Sequence, residues 1–404
     1  METQKKYRIL GLLYFTQTIP IAFMGHAMPA ILRDGGISLE KIAYFHVILM
    51  PYSFSFLWAP FVDKYGKSYF RWVSIATTLY ALFLLPAMLL NFNDAIPMII
   101  LLTLSVFSMS TQDLAMDAYA IKFLNTEERS IGNGIQSAGN YFGFLLGGGI
   151  LLIAYNQIGW NYSILILALF TVIPLLLTVR YEKFSRKEKS TQKRNTLRDF
   201  VTYFKAHRVK KWIPVLLIIK VPTDMIFYFI KPLLIDKGFK LEEVGLLFGL
   251  VSIGAAMLAG LLSGIWLKKS TDYKKLMCGV IGSFLSVVCG LILLYASRDI
   301  YLLTLFLCGI IGAGTGLNTM VVYHISMKNV RKGKEAADYA FQSFLRTILF
   351  MTFIPLGAHF AVNFGYQVLF YFMLFLCALI IVLIHINFKR SLIQTSNRNN
   401  QKLI

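Results

Sequence analysis

Two carboxylates stand one helical turn apart in STQDLAMDAYAI, Ser110 to Ile121, inside a long apolar run. They are Asp113 and Asp117. A carboxylate held in hydrocarbon costs several kcal/mol unless it is paired, hydrated or protonated. Groups placed in this way can take up a coupled proton or close an ion-paired gate. Amides at helical spacing in the next run, Asn133, Gln136 and Asn140, are candidates to hydrogen-bond the two carboxylates. Asp338, Gln342 and Arg346 repeat the step of four near the end of the chain, and form a second candidate gate group.

The deepest charges lie in IIKVPTDMIFYFIKP, which puts Lys220, Asp224, Tyr228 and Lys231 on roughly one helical face. Pro222 removes a backbone N–H between the first two and frees a carbonyl. The simplest arrangement is an internal Lys220 to Asp224 ion pair. Such a pair is costly against lipid, so the face is expected to turn toward a cavity and to touch substrate. The two lysines suit an anionic solute. Gln17 and His26 in the first run and Asn318 in the tenth complete the expected substrate set, and His324 lies near the last of these. Histidine titrates near neutral pH, although a single intramembrane histidine also serves as a packing residue. Tyr14, Phe15, Phe227 and Tyr228 could wall a bulky ligand.

These side chains need a scaffold, and composition names its class. The chain has 404 residues, is 57% hydrophobic and has a mean hydropathy of +0.63, which excludes a water-soluble globule. Twelve apolar runs of membrane-crossing length can be marked, near 9–31, 42–62, 72–91, 97–120, 132–154, 161–179, 212–234, 243–266, 275–296, 300–323, 338–360 and 367–388. We refer to them as spans 1 to 12. The fold class is an all-α membrane protein. Most of the 40 Lys and Arg fall at the termini and in the even-numbered turns, so both termini are expected in the cytoplasm. The net charge of +20 then reflects topology and lipid headgroups rather than nucleic acid. Residues 181–211 read as a basic cytoplasmic linker between two six-span bundles, 1–180 and 212–404.

An internal repeat supports that division. GISLEKI, Gly36 to Ile42, returns as GFKLEEV, Gly238 to Val244, and GNGIQS at Gly132 to Ser137 has a looser echo in DYAFQS at Asp338 to Ser343. Parallel six-helix repeats with a substrate site between them are one solution to alternating access.

The loop APFVDKYGKSYFR, Ala59 to Arg71, resembles the loop signature of the major facilitator transporters: Asp63, Lys64, Gly66 and Lys67 match, while Ala59 and Ser68 depart from it. The resemblance implies that Asp63 caps and pairs at the cytoplasmic interface between halves. TQDLAMDAYAI with the following NTEERSIGNGIQSAGNYFGFLLGGG resembles the branch holding the AmpG muropeptide permeases and acetyl-CoA transporters. Within that branch the first half is most similar to the RhtX/FptX siderophore permeases. The resemblance implies proton-driven import of a ferric siderophore, or a fragment of one, across the bacterial inner membrane by a monomer. Muropeptide import, or efflux of a small metabolite or drug, are the alternatives.

Enzyme signals are missing from the sequence. GAGTGLN, Gly312 to Asn318, lacks the strand and the Lys-Ser/Thr of a phosphate loop. Cys278, Cys289, Cys308 and Cys377 lie within spans without metal-ligand spacing. No cofactor, metal or catalytic residue is expected, and an ion gradient is the expected energy source. A membrane sensor would need an output surface larger than the linker.

Overall fold

The computed structural model describes residues 2–28, 31–32, 46–65, 68–90, 95–179 and 198–400. Helix is the secondary structure throughout, as apolar backbone in lipid requires, since every N–H and C=O must find its partner within the segment. The helices are α1 (Glu2–Ala22), α2 (Met50–Phe54), α3 (Ala59–Tyr65), α4 (Tyr69–Ala87), α5 (Ala95–Phe123), α6 (Arg129–Gly143), α7 (Leu151–Val179), α8 (Arg198–Lys205), α9 (His207–Ile218), α10 (Val221–Asp236), α11 (Leu241–Val244), α12 (Ile253–Trp266), α13 (Asp272–Tyr295), α14 (Tyr301–Lys328) and α15 (Glu335–Asn400).

Among the described residues ten helices are long and apolar enough to cross a membrane, and they fall on spans 3 to 12. Span 1 is α1 continued by a π turn, Phe23–Ala27. Span 2 differs from the continuous helix expected. Its described part is a series of short pieces, 3-10 turns at His46–Leu49 and Ser55–Leu57 alternating with α2 and α3. Pro51 and Pro60 each withdraw an N–H from the ladder there, which explains the interruptions.

Two of the long helices, α7 and α15, are each two spans joined at a sharp break. The break is a glycine in both, Gly159 at φ 70° and Gly365 at φ 79°. A side chain there would be strained, because left-handed φ is open to glycine and poorly open to other residues. The two glycines are 206 residues apart, as are Arg129 and Glu335, which begin α6 and α15. The structure thus repeats with the offset read from GNGIQS and DYAFQS. Of the other repeated pair, GISLEKI and Pro29 lie outside the described residues.

Contacts group the chain into two compact units. One holds Met1–Asn125, Gly139–Asp199 and Val330–Phe344; the other holds Thr126–Ala138, Phe200–Asn329 and Leu345–Ile404. Each has its own apolar core. Phe23, Met98, Leu102 and Ile164 centre the first; Ile226, Val287, Ile311 and Phe370 centre the second. Large apolar side chains such as Leu89, Ile153, Trp266 and Leu302 stay more than 70% exposed, the pattern of a surface solvated by lipid rather than water. The four cysteines are free. Of the linker, residues 180–197 lie outside the described part, and α8 follows, with the buried Tyr203 hydroxyl donating to the Asn329 carbonyl at 3.1 Å.

Candidate functional site

In the first unit, α1 supplies the partners of the paired carboxylates. Gln17 Nε2 donates to Asp113 Oδ1 at 2.8 Å, and the Tyr14 hydroxyl donates to Asp117 Oδ1 at 3.0 Å. The sequence pointed to the amides of span 5 for this task. Of these, Asn140 accepts from the Thr18 hydroxyl at 2.8 Å, Asn133 donates to the Arg129 carbonyl of its own helix, and Gln136 is buried. Glycine explains how α1 reaches so far in. A Cβ added at Gly139, Gly143 or Gly147 would collide with the backbone or side chains of Tyr14, Thr18 and Ile19, so only a stripe of glycines lets the two helices meet at this distance. Tyr14, expected in an aromatic wall, is fully buried and works as a hydrogen-bond donor. The side chain of His26 lies outside the described residues.

Asp63 sits on α3, fully buried. It accepts from the backbone N–H groups of Ala336 and Ala337 at 3.0 and 2.9 Å and from the Tyr69 hydroxyl at 2.6 Å. The loop aspartate therefore caps the start of α15, whose first N–H groups have no carbonyl four residues back. Tyr69 also reaches Glu335 at 3.2 Å. Burial pushes the Asp63 carboxyl up to about 7, with Glu335 adding to the rise and the three hydrogen bonds opposing it. Gly66 and Lys67 of the loop signature lie outside the described residues.

Asp338 is held by Arg331, whose guanidinium grips both carboxylate oxygens at 2.6 and 2.8 Å. Gln342 is buried just after it. Arg346, expected with these two, belongs elsewhere: it lines a pocket in the second unit with Lys220 and Asp224, and its guanidinium lies over the Tyr323 ring at 5.4 Å.

That pocket lies between α9, α10 and α15. Lys220 and Asp224 form an ion pair at 3.1 Å, and Lys220 also donates to the Thr319 hydroxyl at 3.2 Å. Two cations and one anion thus face a small cavity walled by Leu217, Phe350 and Phe353. A second, wholly apolar pocket shares Val221, Met225 and Phe353 with it and runs on past Gly357 and Phe372. The other two members of the expected helical face line neither pocket. Lys231 lies over the Phe248 ring at 4.5 Å, and Tyr228 is exposed, edge-on to Phe350.

Asn318 is a correction of a different kind. It is fully buried and lines neither pocket. Its Nδ2 reaches the Ile219 carbonyl at 2.9 Å, the Ser283 hydroxyl at 2.7 Å and the Thr223 hydroxyl at 3.2 Å. The helical break between α9 and α10 leaves the Ile219 carbonyl available, and Asn318 takes it up. This asparagine ties α10, α13 and α14 together, a structural task. Glu335, Tyr69 and Arg331 were not singled out from sequence. The signal that could have found them is the offset of the repeat, which places the start of span 11 opposite the start of span 5.

No group of three or more His, Cys, Asp or Glu side chains able to hold a metal occurs among the described residues. Against known proteins, 96% of the chain superposes on 99% of the transporter FucP in its outward conformation, with a TM-score of 0.71 at 12% identity. A bacterial homologue of the iron transporter ferroportin matches over 94% of this chain and 98% of its own, with a TM-score of 0.69 at 12% identity. At such identities the likeness speaks for the fold. By sequence, the putative transporter AmpG 1 of Rickettsia bellii (strain RML369-C) is 27% identical over 87% of this chain and 90% of that protein. The anhydromuropeptide permease of Escherichia coli (strain K12) is 30% identical over 39% of this chain and 33% of that protein. A model of the Major Facilitator Superfamily matches residues 10–352, the stretch that carries the capping aspartate, the paired carboxylates and both pocket cations, and by that match the chain belongs to this superfamily.

Proposed function

We propose that this chain, a multi-pass membrane transporter and not an enzyme, imports an anhydromuropeptide-type solute across a bacterial inner membrane as a monomer, driven by protons. The observation that carries the reading is the pocket in which Lys220 and Arg346 outnumber Asp224 and which shares Val221, Met225 and Phe353 with an apolar neighbour. A carboxylate is drawn to the cationic end, and the amphipathic remainder of a sugar-peptide lies along the apolar one. The permease names of the relatives at 27% and 30% identity support this solute class. They set the cell-wall reading ahead of the siderophore reading that the first half of the sequence suggested.

Coupling is assigned to Asp113, a carboxylate one of whose hydrogen-bond donors, Gln17, is neutral. A neutral donor tolerates both protonation states of the acid, which a tight ion pair does not.

The test is uptake of radiolabelled anhydromuropeptide, and separately of iron-loaded siderophore, into cells lacking and then expressing this protein. Muropeptide accumulation that a protonophore abolishes is the expected result. Iron accumulation without muropeptide accumulation overturns the substrate assignment, and accumulation that survives the protonophore overturns the coupling.

A further inference from the structure

Lys275 and His324 meet with Nζ and Nε2 2.8 Å apart, where α13 packs against α14. Both are buried, 3% and 4% exposed, and neither belongs to the pocket or the carboxylate networks.

Two nitrogens at this distance share one proton. With a proton on each, neither would offer a lone pair to the other, and two positive charges would stand 2.8 Å apart. The far ring nitrogen, Nδ1, is buried without a hydrogen-bond partner among the described residues, so no acceptor awaits an imidazolium. The remaining charged groups facing the ring are Asp272 of α13, Lys328 of α14 and Arg129 of α6. Asp272 is already engaged in an ion pair with Lys328.

We propose that Lys275 and His324 form a proton-binding site, on the side of the second half that the basic loops assign to the cytoplasm. It holds one proton while α13 and α14 pack as they do here and two once water separates them. An imidazole in water binds its proton near pH 6.5. The packed junction is then unaffected well above that pH and is progressively disfavoured as pH falls below it, by up to about tenfold per pH unit. Opening of this junction is thereby tied to proton uptake from the facing compartment, independently of Asp113.

Amide hydrogen exchange of the full-length protein, read by mass spectrometry from about pH 7.5 to about pH 5, measures the opening directly and needs no substrate. Peptides covering 272–279 and 321–329 are compared at each pH with peptides covering 281–293, which cancels the chemical pH dependence of exchange. In wild type this ratio is expected to rise below about pH 6.5, by up to about tenfold per unit. His324→Gln retains an oxygen that can accept from Lys275 but binds no proton, and its ratio is expected to stay flat. Lys275→Gln removes the competing cation and is expected to flatten the ratio as well. A wild-type ratio that does not change with pH overturns the proposal without recourse to either variant, and so does an acid rise that persists in His324→Gln.

Discussion

Replacing Asp63 removes one acceptor from three donors at once, the Tyr69 hydroxyl at 2.6 Å and the Ala336 and Ala337 N–H groups at 3.0 and 2.9 Å. Loss of a capping side chain costs about 0.5–2 kcal/mol, and each buried donor left without a partner costs about 1–3 kcal/mol. Asp63 is fully buried, so Asp63→Ala is expected to lose about 3–5 kcal/mol. Asp63→Asn keeps one acceptor oxygen but turns an NH2 toward a donor, and should lose about half as much. The pH dependence is the sharper readout. The carboxyl is raised from 3.8 to about 7 in the folded chain, so it binds its proton more tightly folded than unfolded. Its contribution to stability is complete below pH 3.8 and is lost as pH rises through about 7. That gap corresponds to about 4 kcal/mol between the two limits. Thermal unfolding in detergent, followed by circular dichroism at about pH 4.5 and about pH 8, should show wild type losing stability relative to Asp63→Asn. Parallel pH profiles for the two proteins would refute the raised carboxyl, and a wild-type midpoint for Asp63→Ala would refute the capping account.

Asp113→Asn should fold and still exchange substrate across the membrane at equilibrium, yet lose concentrative uptake. One forfeited proton is worth about 2.3 kcal/mol per 100 mV, or about 50-fold in accumulation, and unchanged accumulation would remove Asp113 from coupling. Lys220→Met and Arg346→Gln should each raise KM by about tenfold or more with the protein still in the membrane; a normal KM in both would dismiss the pocket as the anion site. Gly312→Ala and Gly316→Ala each drive a Cβ into the α12 side of the second unit, against the Ser252 and Ala256 carbonyl oxygens respectively, and should cost about 1–3 kcal/mol in thermal unfolding. Gly254→Ala meets nothing within 4 Å and serves as the control, expected to be neutral or slightly stabilising.

Periodicity and hydropathy alone revealed most of the fold, because a lipid-solvated helix must be apolar over its whole length and the signal is correspondingly long. The break at Gly159 was less visible, since one glycine among the 29 of this chain carries no mark of its φ. Its partner Gly365, at the same place in the repeat, supplies that mark. The Lys220–Asp224 pair was legible from a spacing of four within one helix. Partners on different helices were not. Asn318 and Arg346 look alike in sequence, each a polar residue in an apolar run. Only the packing distinguishes a side chain tying three helices together from one that faces a cavity, and packing depends on which turn of a neighbouring helix arrives opposite. Tyr14 and Asn140 changed roles for the same reason. The stripe of Gly139, Gly143 and Gly147 brings α1 in, and α1 then donates to both carboxylates.

The repeat also separates what the fold needs from what function adds. At the offset of 206, Asp113 corresponds to Thr319, and each joins the fourth helix of its half to the first, Asp113 through Gln17 and Thr319 through Lys220. A neutral hydroxyl therefore suffices for that joint. A carboxylate in the first half brings a desolvation cost of several kcal/mol that the joint does not require.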